Sequence, residues 1–439
     1  MNTSSTPTDV LFHPLQKIEQ LIAKGELPKA ATELNVAVRI SPADPRIHLL
    51  GARLAEAANN PKAARESALR AVEKAPNWSI GVIELALLMG RQNQLKEALA
   101  YAERAVALAP HDLFILSRAI DVAHHAQHLV LALQLLRRAA ELAPDNGSFQ
   151  RLIARDLRLQ GDYVQALAAY TALVEAHPTE AEPLLGRVQV ALAMNNGALA
   201  LQDADALVRL YPLNEEYRFW QELAQGKTPA TQPADMVRAL YDGYAANMFD
   251  QHVVRTLKYQ LPGQVAQLIL ARYPDRALHV LDLGCGTGLL GLFLGRIQGA
   301  LIGVDLSEAM VQQAARHQVY DRFHTVNLLD ALTATPDALY HVITACDVFI
   351  YVGDLGQAIP NAHRVLRPDG HLIFSCESTA EGEADLVLRP TMRYAHRQSH
   401  IEALCTAAGF DSVSVQPTVL RMEGNQPVNG YIVVAHKPA

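Results

Sequence analysis

Cysteine is scarce in this chain of 439 residues: Cys285, Cys346, Cys376 and Cys405 are the only four, and no two form a C-x-x-C pair. Such spacing supplies neither a disulfide framework nor a zinc site, so no metal is expected, and it fits thiols kept reduced in a cytoplasm. Long apolar runs are also missing. None reaches the roughly 18 residues of a membrane span, and the opening MNTSSTPTDVLFHP lacks the basic and apolar regions of an export signal. The expectation is a soluble, cytoplasmic protein without membrane contact. Nor is there an excess of positive charge: 38 Lys and Arg against 45 Asp and Glu leave a formal net charge of -7. That balance offers no general attraction to phosphate backbones, and nucleic acid is not favoured as a partner.

What the chain does have is a period. Pro42, Pro76, Pro110, Pro144, Pro178 and Pro212 recur at one fixed step of 34 residues. Ala30, Ala64, Ala98, Ala132, Ala166 and Ala200 keep the same step, as do Ala37, Ala71, Ala105 and Ala139, continued by Leu173 and Leu207. Small residues at a fixed step let two helices approach closely. Upstream of each first-series alanine stands a turn residue, Gly25, Asn59, Asn93, Gln127, Gly161 or Asn195, where one helix ends and the next begins.

This pattern, plainest in GDYVQALAAYTALVEAHPTE (161–180), resembles the tetratricopeptide repeat, as six repeats over about residues 11–214. The resemblance implies an all-α superhelix with a concave groove, because a single helical hairpin cannot bury its apolar face alone. EEYRFWQELAQG (215–226) reads as a capping helix, with Phe219 and Trp220 covering the last repeat. The array is thus placed at 11–225, and the proline-bearing GKTPATQP reads as a linker over 226–233. In arrays of this kind the first helix of each repeat lines the groove. There Arg151, Arg155 and Arg158 share a helix face, with Arg46 and Arg53 at related positions. They form a candidate basic strip for an acidic peptide or carboxylate, or else a solvated face. His124 and His125 are adjacent rather than four apart, and they read as surface residues, not metal ligands.

Beyond Pro233 the pattern changes to alternating strands and helices over 234–439. Strands are predicted at 278–284, 300–306, 322–327, 341–351, 371–378, 412–419 and 431–437, which describes a doubly wound, Rossmann-like α/β domain around a seven-stranded mixed sheet. The first strand runs into HVLDLGCGTGLLGLFLG (279–295). Gly286, Gly288 and Gly291 satisfy the dinucleotide pattern G-x-G-x-x-G, whereas Asp282, Gly284, Gly286 and Gly288 form D-x-G-x-G-x-G. Both kinds of loop use glycine for close backbone approach, and both use an acid ending the second strand for ribose hydroxyls, here Asp305. Asp282 discriminates between them. A carboxylate before the loop suits a ligand with an ammonium group and would repel a pyrophosphate.

VLDLGCGTG together with GVDLSEAMVQQA resembles the first motif and following acidic motif of class I S-adenosylmethionine-dependent methyltransferases. The likeness extends over about 236–439 and is nearest to members that carry tetratricopeptide repeats. It includes YDGYAANMFDQHVVRTLKY (241–259), ACDVFIYVGDL (345–355) and RYAHRQSHIEALCTAAGF (393–410). The resemblance implies S-adenosylmethionine as cofactor. It assigns the methionine part to Asp282, Gly284, Gly286 and Gly288, with Cys285 a small packing residue inside the loop. Asp305 would take the ribose, Leu306 would pack on adenine, and Asn327 with Leu328 would face the adenine edge. Asn327 departs from the aspartate common there, though its side-chain carbonyl still accepts one hydrogen bond. Tyr241, Tyr244, Phe249 and His252 read as a lid over the cofactor or as plain packing.

For chemistry, Asp347, Tyr351 and Asp354 follow the fourth strand at the carboxyl edge of the sheet. Asp347 is the best placed to meet an acceptor, or it caps the next helix. His396 lies in the connection after the fifth strand, where this fold carries substrate loops, and is a candidate base; Arg393 and Tyr394 would bind an acceptor carboxylate or order the loop. Three functional readings follow: a methyltransferase whose acceptor is a protein or peptide presented by the repeats, a small-molecule methyltransferase whose repeats only dock it to a partner, and a non-catalytic repeat scaffold.

Overall fold

A computed structural model describes residues 11–245, 259–423 and 426–439, and the side chains of 244 and 245 are not described. Two compact units meet in the chain at Asp203 and Ala204, within the helix Gly197–Leu210.

In the first unit, helices α1 (Phe12–Ala23) and α2 (Leu27–Ile40) begin a series of helical hairpins. It continues through α3 (Pro45–Ala57), α4 (Pro61–Lys74), α5 (Ser79–Arg91), α6 (Leu95–Leu108), α7 (Leu113–His125), α8 (Leu129–Leu142), α9 (Gly147–Gln160), α10 (Tyr163–Ala176), α11 (Ala181–Ala193) and α12 (Gly197–Leu210). The reason lies in short-range chemistry. Asp44, Asn60, Asp112, Asn146 and Asp162 each accept a first-turn amide and cap a helix start. Each of the six periodic prolines falls in a turn between repeats. Ala30, Ala64, Ala98, Ala132, Ala166 and Ala200 are all fully buried, as are Ala37, Ala71, Ala105 and Ala139.

Every turn residue singled out by the period takes a left-handed conformation: Gly25 (φ 73), Asn59 (55), Asn93 (58), Gln127 (54), Gly161 (84) and Asn195 (57). Glycine and asparagine enter this region readily; glutamine does so at a steric cost. Gln127→Gly is therefore expected to raise the stability of the array by about 1 kcal/mol, read from urea unfolding with an unchanged slope.

The arginines of the expected basic strip are engaged inside the array. Arg151 donates to Glu180 at 2.5 Å, and Arg155 donates to Asp156 and meets His124 Nε2 at 3.2 Å. Asp156 itself is fully buried and binds His124 at 2.5 Å. His124 thus ties neighbouring repeats, and His125 Nε2 lies 3.0 Å from the Gly90 carbonyl. Arg158 is half-buried beside Tyr170. Arg46 pairs with Asp44, and Arg53 with Glu19 and Glu84. Stacking brings Glu180 to Arg151 and Glu19 and Glu84 to Arg53, while Arg155 and Arg46 meet acids beside them in the chain.

In the second unit α13 (Glu215–Ala224) and α14 (Ala234–Ala245) precede the sheet. The stretch 226–233 is docked rather than free: the Tyr394 hydroxyl donates to the Pro229 carbonyl at 2.8 Å, Asp354 N–H to Ala230 at 2.7 Å, and Gln232 N–H to Tyr351 at 3.0 Å. Then come α15 (Leu261–Arg272), β1 (Val280–Leu283), α16 (Leu289–Leu294), β2 (Leu301–Asp305), α17 (Glu308–Ala315), β3 (Arg322–Thr325), α18 (Leu328–Ala334) and β4 (Tyr340–Ala345). A 3-10 turn (Phe349–Tyr351), α19 (Ala358–Val365), β5 (Leu366–Ser378), β6 (Leu386–Leu388), β7 (Tyr394–His396), α20 (Gln398–Ala407), β8 (Ser412–Glu423) and β9 (Gln426–His436) complete it.

The seven expected strands are all present. β6 and β7 add two of three residues each, and the expected strand 341–351 leaves the sheet at Ala345. The sheet runs β3-β2-β1-β4-β5 in parallel, with β9 antiparallel on β5 and β8 outside β9. Glu377 pairs with Gly430 of β9 and also with Ala395 of β7. A strand residue has one neighbour on each side, so β7 occupies the side that β4 vacates.

Histidines gather at the opposite edge of the sheet from its carboxyl ends. His279 stacks on His341 at 5.5 Å, His371 lies opposite His436, and the Tyr273 hydroxyl meets His371 Nδ1 at 3.1 Å. Burial, helped by the Arg272 charge, holds His371 down to about 4 from an ordinary 6.5. A folded value below the unfolded one means stability that is full above about 6.5 and lost as pH falls toward 4. Burial lowers His341 and His363 likewise, while hydrogen bonding to Asp369 raises His436 and opposes them. The melting temperature is expected to drop between pH 7 and 5, and to drop less in His371→Gln.

Candidate functional site

The site grows from the end of β1. Leu283 leads into Gly284, whose φ is 64; a Cβ there would lie 2.3 Å from a Val348 methyl, so glycine is required twice over. Asp305, the last residue of β2, pins the loop: one carboxylate oxygen accepts Gly286 N–H at 2.8 Å and the other Ser307 N–H at 2.9 Å. Burial raises its carboxyl despite these bonds. Asp282 is 2% exposed. Thr344 stands directly beside it in the parallel register of β4 and donates to Oδ1 at 2.8 Å, while the Tyr320 hydroxyl donates to Oδ2 at 2.6 Å. Burial pushes the Asp282 carboxyl up to about 6, and those two donors hold it from rising further.

A cavity opens at the carboxyl ends of β1, β2 and β4, where strand order reverses between β1 and β4. Of the residues expected to hold a cofactor, Asp282, Gly284, Cys285, Gly286, Asp305, Leu306, Asn327, Leu328 and Tyr241 all line it. Gly288 instead heads α16 at φ 84, outside the lining. Asn327 lines the cavity but spends its side-chain carbonyl as the cap of α18, accepting Leu329 N–H at 2.8 Å. Phe249 and His252 lie outside the described residues, as does the side chain of Tyr244. The loop side presents two carboxylates, a setting that suits cationic and hydroxyl groups and repels a pyrophosphate.

Across the cavity, Tyr241 donates to the Tyr351 hydroxyl at 3.1 Å, and Asp347 stands in a left-handed conformation (φ 58) with its N–H on Ser375 Oγ at 2.8 Å. Its carboxylate accepts from Arg421 at 2.6 Å. Arg421 is 3% exposed and also donates to Glu423 at 2.7 Å and to Glu377, while Arg393 pairs with Glu423. Three acids thus surround two arginines on this wall. Arg421 was not foreseen because it follows a register shift between Val419 and Arg421 that buries Leu420 and Arg421 consecutively. Thr231 and Gln232, read as linker, also line the cavity. Tyr320 and Thr344 carried no motif.

His396 is the correction. It stands on β7, 1% exposed and outside the cavity lining; Nε2 donates to the Gly353 carbonyl at 2.8 Å and Nδ1 is buried with no partner. Burial lowers its pKa. The strand pairing of β7 with both β5 and β6 turns the ring into the core, where it holds the chain after the 3-10 turn.

Comparison with known proteins agrees with this architecture. Residues 281–372 match the family model of the methyltransferase domain, and residues 151–221 that of the tetratricopeptide repeat. The chain therefore joins tetratricopeptide repeats to a methyltransferase domain. It is 32% identical over 134 residues to malonyl-(acyl-carrier protein) O-methyltransferase of Pseudescherichia vulneris, covering 30% of this chain and 50% of that one. With the mitochondrial ubiquinone biosynthesis O-methyltransferase of Bos taurus the figures are 28% over 131 residues, 28% and 33%. The chain spans half or less of the length of these curated relatives. Among solved structures, a Burkholderia thailandensis 1,6-didemethyltoxoflavin-N1-methyltransferase aligns at 21% identity with a TM-score of 0.37, covering 48% of this chain and 93% of that one. YrrB, a tetratricopeptide protein, aligns at 19% with a TM-score of 0.37, covering 44% and 97%. No helix among the described residues is long and apolar enough to cross a membrane.

Replacing His396 by Leu leaves the Gly353 carbonyl without its donor. Such a variant is expected to lose about 1–3 kcal/mol of stability by urea unfolding, whereas loss of a base at the reacting atoms would lower turnover with stability unchanged.

Proposed function

We propose that the chain is an S-adenosylmethionine-dependent methyltransferase. The observation that carries this reading is the pair of carboxylates facing one cavity across a glycine loop, Asp282 at the end of β1 and Asp305 at the end of β2. Their fit to the cofactor is chemical. Asp282 keeps lone pairs beyond those given to Thr344 and Tyr320 for an ammonium group, and Asp305 keeps lone pairs beyond the two loop amides for ribose hydroxyls. Leu306, Val326 and Leu328 supply an apolar wall for a base. When bound, S-adenosylmethionine supplies an activated methyl group. The chain's own part is to orient an acceptor at the wall of Asp347, Tyr351 and Tyr241, to exclude water and, for an acceptor bearing a proton, to take that proton on the Asp347 carboxylate.

The acceptor in this reading is a protein or peptide presented by the repeats, since a small molecule needs only the pocket and an extended array serves a larger ligand. Arg151, Arg155 and Arg158 are the candidate contacts, and an acidic ligand would compete with Glu180 for Arg151 and with Asp156 for Arg155. A second reading, a small-molecule methyltransferase docked through its repeats, is favoured by the name of the ubiquinone biosynthesis relative.

Calorimetry on the full chain is expected to show binding of S-adenosylmethionine and its demethylated product but not of NAD. Asp305→Ala should weaken that binding by about 1–3 kcal/mol through lost charge-assisted hydrogen bonds. An unaffected variant would remove the assignment. Incubating extract with the chain and isotopically labelled cofactor should place label in protein, and reversing Arg151, Arg155 and Arg158 to Glu should lower that labelling with cofactor affinity intact. Label confined to small molecules would favour the second reading.

A further inference from the structure

We propose that Tyr320 is a positioning residue for the cofactor: from behind the glycine loop, its hydroxyl fixes the Asp282 carboxylate in the state and orientation that receive a cationic group from the pocket. The inference rests on the reading of this cavity as an S-adenosylmethionine site.

Tyr320 does not line the cavity. It lies in the connection between α17 and β3 and reaches the loop from its far side. The hydroxyl makes two bonds of opposite sense, donating to Asp282 Oδ2 at 2.6 Å and accepting Gly291 N–H at 3.3 Å. The second explains why a tyrosine is needed. Helix α16 starts from Gly288, which has no side chain, so no cap residue of its own serves the first-turn amides. Tyr320 caps the Gly291 amide from another element, and accepting that N–H polarises the O–H that it offers to Asp282.

The ring's place is reserved by the sequence. A Cβ on Gly291 would sit 2.4 Å from Tyr320 Cε2, and one on Gly288 3.2 Å from the same atom. The far face of the ring packs on Phe323 at 5.0 Å. Gly291 is the glycine that completes the dinucleotide-like spacing with Gly286 and Gly288, a position that serves close packing in such loops, and here it makes room for a phenol. Asp282 is almost fully buried, a setting that favours the neutral acid. Its protonation would remove the charge that faces an ammonium group and weaken the acceptor. Thr344 on Oδ1 and Tyr320 on Oδ2 are the two side-chain donors that favour the ionised form.

The test is the pH dependence of S-adenosylmethionine binding to the full chain, by calorimetry from pH 5.5 to 8.5. Tyr320→Phe keeps the ring and removes the donor. Its binding profile is expected to move up by about one pH unit, giving about threefold weaker binding at pH 6.5, about eightfold weaker at pH 5.5 and nearly unchanged affinity at pH 8.5. Gly291→Ala, which presses on the ring without touching Asp282, should move the profile the same way, and Asp282→Asn should flatten it. Uniform weakening of Tyr320→Phe at every pH would reduce Tyr320 to a packing role and overturn the proposal. An unmoved profile in whichever of Tyr320→Phe and Gly291→Ala folds would overturn it as well. Absence of binding to the unmodified chain at every pH is a different result: it refutes the cofactor reading itself.

Discussion

A carboxylate buried at the end of β1 is the constraint around which the second unit is arranged. An ionisable group 2% exposed is tolerated only where donors meet it, and Asp282 draws one from a neighbouring strand and one from a distant connection. The strand donor exists because β4 lies beside β1 in a register that sets Thr344 against Asp282. That same adjacency is the reversal of strand order that opens the cavity. Helix α17 and its following turn must then deliver Tyr320. Loop, helix start and pocket are consequences of satisfying one group.

The opposite wall obeys similar logic with more charge. Arg421 is surrounded by Asp347, Glu377 and Glu423, which come from the β4 turn, β5 and β8. Breaking any such pair would strand a buried charge. The network therefore holds the turn after β4, with Asp347 in its left-handed conformation, at a fixed place beside the loop. The docked segment 229–232 closes against the same turn through backbone bonds to Tyr351 and Asp354. A stretch with the composition of a flexible linker becomes part of a wall because the Pro229 carbonyl meets the buried Tyr394 hydroxyl and the Ala230 carbonyl meets the Asp354 amide.

In the repeat unit the dependence is on short-range geometry. Each turn needs one left-handed residue and each hairpin needs small residues at two steps, and stacking then follows. It also pairs the surface: arginines that share a face in sequence meet acids of their own or adjacent helices once the repeats are stacked. Arg187 and Asp203 carry this inside, as a buried bidentate pair at 2.7 and 2.8 Å.

How much of this was legible in the sequence depended on the range of the interaction. The array could be read from its prolines, alanines and turn residues because period, cap and left-handed turn are set by residues close in the chain. The strand pattern, the glycine loop and Asp305 were legible for the same reason: each is a local backbone requirement. The strand expected to reach residue 351 failed because HVITACDVFIY is mostly apolar on both sides of Asp347, yet Asp347 takes a positive φ and turns the chain out of the sheet. His396 sits in a motif block, but pairing with strands on both sides sends its ring into the core. Tyr320, Thr344 and Arg421 carried no motif, since the carboxylates that tie them to the site, Asp282 for the first two and Asp347 for the third, lie 38, 62 and 74 residues away. Sequence alone determined which backbone shapes and which loop chemistry this protein has. Tertiary structure decided which side chains face the cavity, because burial and strand register act between segments that the chain's own neighbours cannot foresee.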